Sequence, residues 1–211
     1  MLTVALDVPS AQVLADQALI IHDLQFVMDS CKRLLTELAR PEDDRDPVVP
    51  QALWSAALVA YARCFGKGKR FGLSAEDVRS LPLRGEVMKY HKWVMEERDK
   101  LTVHPRNPLT AAKVGAALSP PDQADRRVEG IVILSTSHVL VDDTGVRQLG
   151  ALASELAKQT SEKAQAQQDS VLADAQQLDR DSLYKLPPLP MGSPGAGPAD
   201  EEGTDEEGAD D

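Results

Sequence analysis

Arg98, Asp99 and His104 stand close together in KYHKWVMEERDKLTVHPRN, residues 89–107. An arginine fork matches the oxygens of a phosphate. A histidine takes or gives a proton near neutral pH. Metal-free cleavage of RNA needs both: a group to handle the proton of the ribose 2′-OH or of the leaving 5′ oxygen, and fixed positive charge beside the scissile phosphate. Six positions apart on an ideal helix, Arg98 and His104 diverge by about 120°. Pro105 disfavours helical geometry at His104, so a side chain in the exit turn can swing back toward the arginine. The pair therefore depends on where its helix ends. The same residues also fit a plainer role, with Arg98 salt-bridged to a carboxylate such as Glu37 and His104 favoured by the negative end of the helix dipole.

The elements that must position these residues are read from periodicity. Ile20, Leu24, Val27, Cys31, Leu34 and Leu38 step by four and three, which predicts a helix over about 12–39 with Ser10 as its N-cap and Pro41 as its stop. Trp54, Leu58, Tyr61 and Phe65 predict a second helix with Pro50 in its first turn. The small residues of ALWSAALVAYARCF would let a neighbour approach closely, and the aromatics at helical spacing read as core. Ser74 and Asp77 form a capping-box pair for a short turn ended by Pro82. A third long helix is expected over about 84–103, its stripe Val87, His91, Val94, Arg98 and Leu101. His91 on that stripe is either a second polar site residue or a buried, hydrogen-bonded one. VEGIVILS, residues 128–135, is the strong strand signal, with 138–141 expected as its hairpin partner. Val146, Leu149, Leu152 and Leu156 mark a last helix capped by Asp143 or Thr144. The fold class is therefore mainly α: a helical bundle with a small C-terminal β-hairpin and a further helix. Residues 1–158 form the helical domain including a hairpin at about 128–141. Residues 159–186 are a polar helix or linker, and 187–211 a disordered acidic tail.

An arginine followed by an acidic residue, then His-Pro at the close of a third helix, with a small-residue helix and a basic loop upstream, resembles the Arg-x(4–6)-His motif of the HEPN-like superfamily. The resemblance covers roughly residues 11–106. It implies an α-helical, commonly dimeric domain and a metal-independent endoribonuclease leaving 2′,3′-cyclic phosphate ends, or a nuclease-derived RNA-binding protein, with a role in defence or stress. It implies that Arg98 holds the phosphate, that His104 is the acid or base, and that Asp99 orients one of them. By the same analogy Lys67, Lys69, Arg70, Lys100 and Arg106 attract the RNA backbone. No cofactor or metal is expected.

The 211 residues carry 23 Lys or Arg against 34 Asp or Glu, a net charge of −11, and the distribution matters more than the total. Residues 1–62 hold four bases and nine acids; residues 63–106 hold eleven bases and six acids, an island of +5. Eight acids crowd into the final twelve residues. Such a tail suits a basic partner protein, or blocks the basic island. The rival to the nuclease reading is accordingly a non-catalytic α-helical dimeric interaction protein. No run of 18 apolar residues predicts a membrane span. Cys31 and Cys64 have no CxxC spacing, so neither a disulfide framework nor a zinc site is expected, and a reducing cytoplasm is the expected compartment. GKGKR lacks the spacing of a phosphate loop, and Asp143-Thr144-Gly145 lacks the β-rich body of an aspartic protease.

Overall fold

The computed structural model describes residues 2–66, 71–102, 110–122, 125–137 and 142–189. Among the described residues, six α-helices and one two-stranded antiparallel sheet follow in the order α1 (Pro9–Leu38), α2 (Val48–Arg63), α3 (Ala75–Arg79), α4 (Val87–Thr102), β1 (Thr110–Leu118), β2 (Val128–Ser137), α5 (Asp143–Gln177) and α6 (Arg180–Leu183), with a single 3-10 turn at Glu42–Asp44 between α1 and α2. The fold is mainly α with one small hairpin, as the apolar spacing predicts.

α1 begins one turn earlier than its apolar stripe suggests. Pro9 takes the first helical position, where its missing N–H costs nothing, and extended Val8 precedes it. Ser10 is therefore inside the helix, its hydroxyl donating to Asp174 at 2.6 Å rather than capping. The stripe from Ile20 to Leu34 is fully buried apart from a trace at Cys31. α1 packs against both α5 and α2, and α4 lies against α2. Ala57 and Ala60 of α2 are buried, so the close approach expected of its small residues is realised. Trp54 and Tyr61 are core.

The α3 capping box forms as expected. Ser74 Oγ accepts from the Asp77 N–H, and the Asp77 carboxylate accepts from the Ser74 N–H at 2.7 Å. α4 starts at Val87 rather than 84 because Gly85 adopts φ +92°, a left-handed turn that a helix cannot contain. α5 is capped by Asp142, one residue before the expected positions, its carboxylate accepting from the Gly145 N–H at 2.7 Å. It then runs unbroken past residue 158 to Gln177. The polar half is held by polar contacts: Lys163 pairs with Asp77, Gln159 donates to Ser80 Oγ at 2.8 Å, and Gln167 donates to the Ser10 carbonyl at 3.0 Å. At the far end Ala5 N–H donates to Pro187 O and Leu189 N–H to Thr3 O, so the described chain beyond residue 186 pairs with the N-terminal segment.

The hairpin's pairing corrects an expectation. β2 pairs with β1, which lies inside the stretch expected to be a linker, from Thr110↔Ser137 through Ala117↔Gly130 and, across a bulge, Leu118↔Val128. The connection is closed by Ser119, whose N–H donates to Arg127 O at 3.0 Å and whose hydroxyl accepts from the Arg127 N–H at 3.0 Å. Five of the nine residues of TAAKVGAAL are Ala or Gly, which have weak strand preference, so no local pattern announces it; the ladder with β2 makes it a strand. Residues 138–141, the expected partner, lie outside the described residues.

Candidate functional site

α4 carries the residues with chemical potential, and its burial pattern sorts them. Val94 is completely buried and His91 nearly so. The Tyr61 hydroxyl and His91 Nδ1 are 2.8 Å apart and share a buried hydrogen bond, while the Phe65 ring lies 4.7 Å from the imidazole, centre to centre. Burial, helped by the neighbouring Lys92 ammonium, holds the imidazole below its ordinary 6.5. Of the two roles open to His91, the structure supports the hydrogen-bonded core residue.

One turn further along the stripe the environment opens. The Arg98 side chain is 32% exposed, and its Nε lies 3.1 Å from Asp99 Oδ1, with Asp99 itself half exposed. Glu37, the carboxylate considered as an alternative partner, is instead paired with Arg40 at 3.1 Å. The guanidinium thus sits at the rim of the bundle, with Asp99 beside it. Lys100 is bound by Glu97 at 2.7 Å, and that hydrogen bond raises the ammonium's pKa above its usual range. His104 and Arg106 lie outside the described residues, so the structure does not place the histidine relative to Arg98.

Lys67, Lys69 and Arg70 also lie outside the described residues, but the ends of their segment are tied down. Leu73 N–H donates to Cys64 O at 2.7 Å and Phe71 N–H to the buried Asp16 carboxylate at 2.8 Å. A Cβ on Gly72 would come within 2.9 Å of Gly66 O, so only glycine lets the two limbs of this loop touch. Nearby, Arg63 at the end of α2 pairs with buried Asp23 of α1.

One concave feature escapes the sequence reading. A cavity of about 480 Å³ lies where the 83–87 turn meets α4 and α5, lined by Arg84, Lys89, Tyr90, Trp93, Gln148 and Leu152 among others. Tyr90 is fixed there by donating its hydroxyl to Gly145 O at 2.6 Å, and its ring lies 5.4 Å from that of Trp93. The two aromatics are three apart on α4, which is the one signal in the sequence for a shared wall.

Among the described residues no group of three His, Cys, Asp or Glu side chains is arranged to hold a metal ion. Cys31 and Cys64 are both buried and outside any disulfide, and burial pushes the Cys31 thiol up to about 12, which leaves it unreactive at neutral pH. No helix among the described residues is long and apolar enough to cross a membrane. No protein family, curated protein or solved structure matches the chain.

Proposed function

We propose that the helical body is a HEPN-like RNA-cleaving or RNA-binding domain, working as a homodimer without a metal. The observation that carries this reading is the position of Arg98. It continues the buried α4 stripe of His91 and Val94, yet leaves the core and reaches the rim with Asp99 at its side. A guanidinium in that place costs burial that an apolar residue would not, and it is the charge that a phosphodiester needs.

In this mechanism Arg98 neutralises a non-bridging oxygen of the scissile phosphate. His104 takes the proton of the 2′-OH, or returns one to the departing oxygen. The 2′ oxygen attacks phosphorus, the bond to the 5′ oxygen breaks, and the products are a 2′,3′-cyclic phosphate and a 5′-OH. Asp99 sets the orientation of the guanidinium. Lys67, Lys69, Arg70, Lys100 and Arg106 supply the sequence-independent attraction to the backbone, which weakens as salt rises.

The test is incubation of the full chain with mixed RNA in EDTA, for wild type, Arg98→Ala and His104→Ala. Cleavage by wild type alone, with cyclic phosphate ends, supports catalysis. Binding without cleavage that weakens in Arg98→Ala supports the RNA-binding form. Wild type that neither cuts nor binds RNA at low salt overturns the reading.

A further inference from the structure

α4 rests on α2, and α5 rests on α1. Beside the hydrogen bond from Tyr90 to Gly145 O, the seam between α4 and α5 opens into the cavity of about 480 Å³. Packed interiors leave few voids larger than a water molecule. This one falls within the range of small-molecule sites, about 300–1,000 Å³, and such sites occur between the helices of bundles. Its lining divides by depth. Leu152 is buried and Tyr90 and Trp93 are half-buried, whereas Arg84, Glu86, Lys89 and Gln148 are exposed. The cavity thus has an aromatic wall and a polar rim.

The wall is fixed before any ligand arrives. The Tyr90 hydroxyl is committed to Gly145 O at 2.6 Å, and the Trp93 ring lies 6.2 Å from that of Trp54, a core residue. The Tyr90 and Trp93 rings, tilted by 34° to one another, offer π surface, which favours another flat ring in offset or edge contact. The rim is unevenly charged. Lys89 and Glu86 neutralise each other at 2.9 Å, while Arg84 pairs with no carboxylate among the described residues. One positive charge is therefore left over, on a planar fork that can hold both oxygens of a carboxylate. The cavity also reaches the first turn of α4, where the helix dipole adds to the attraction for an anion.

We propose that this cavity binds a small aromatic carboxylate, a flat ring system carrying one negative charge. The ring lies against Tyr90 and Trp93, and the carboxylate meets the Arg84 guanidinium. The single excess charge of the rim matches a monoanion, and the two rings match a planar body rather than an aliphatic one. The cavity lies at the start of α4 and Arg98 near its close, so the inference uses neither Arg98 nor His104. It stands or falls separately from the RNA reading.

The experiment is a titration of the isotope-labelled full chain with naphthoate, read by NMR from the indole N–H signals of its two tryptophans. Trp93→Phe assigns them. The Trp93 signal is expected to shift saturably, with a dissociation constant of about 0.1–1 mM for a ligand of this size. Arg84→Gln, at an exposed position, is expected to weaken binding about tenfold with the fold unchanged. Ala151→Phe, which fills the cavity and leaves Arg84 in place, is expected to abolish it. Naphthamide keeps the ring without the charge, and cyclohexane carboxylate keeps the charge without the π surface; both are expected to bind at least about fivefold more weakly than naphthoate. A Trp93 signal that stays in place up to about 5 mM naphthoate overturns the proposal. So does unweakened binding in either variant, or equal affinity for naphthamide or cyclohexane carboxylate. Tighter binding of naphthyl phosphate, a dianion, overturns the assignment of a carboxylate.

Discussion

Replacing Tyr61 by phenylalanine removes one oxygen from the middle of the bundle and leaves the ring in place. That oxygen is the partner of His91 Nδ1 at 2.8 Å, Tyr61 is fully buried, and His91 is nearly so. The variant therefore loses a hydrogen bond and strands a buried ring nitrogen beside Phe65, where water has little access. Leaving a buried polar group unsatisfied costs about 1–3 kcal/mol, so about 2 kcal/mol is expected, a fall in Tm of about 4–8 °C for a chain of this length. Urea unfolding followed by circular dichroism should show a lower midpoint at constant m. Tyr61→Phe/His91→Leu removes both polar partners and should cost less than the two single changes added together. The pH dependence gives an independent reading. His91 is held below 6.5 in the folded state, so the unfolded chain binds the proton more readily. Its contribution is complete above the unfolded value and is lost as pH falls below 6.5 toward the folded value. His91→Leu should flatten that portion of the stability curve. A Tyr61→Phe protein within about 0.5 kcal/mol of wild type, or strictly additive changes, would refute the assignment of this pair as a coupled core hydrogen bond.

Two further outcomes concern the frame around the site. Asp77 is buried enough to raise its pKa, but the ammonium of Lys163 and the hydrogen bonds from Ser74 more than reverse this and hold the carboxyl below its ordinary 3.8. Its stabilising contribution is present above that value and is lost as pH falls through the lower folded value, so Asp77→Asn should remove part of the acid-side slope in denaturation curves recorded from neutral pH downward. Leu156 of α5 is fully buried in the main core, and Leu156→Ala should lower stability by about 2–5 kcal/mol in the same urea assay, provided that α5 holds the bundle together rather than merely lying on it.

Sequence spacing alone determined the helical body, because a helix buries one stripe and the stripe recurs every three or four residues whatever lies opposite. Ile20 to Leu34, Trp54 to Phe65 and Val146 to Leu156 each show it, and local devices such as Ser74 with Asp77 depend only on neighbours along the chain. Arg98 was legible for the same reason, as a charged residue on an otherwise apolar stripe. Tertiary contact decided what no neighbour could reveal. His91 became a core residue because Tyr61, thirty positions away, supplies its partner. TAAKVGAAL became a strand because β2 offers it a ladder, and the polar half of α5 stayed helical because Ser10, Ser80 and Asp77 reach it from other elements. The cavity beside Trp93 belongs to this second kind. It is assembled from segments distant in sequence, so its physical character exists only once the chain has folded.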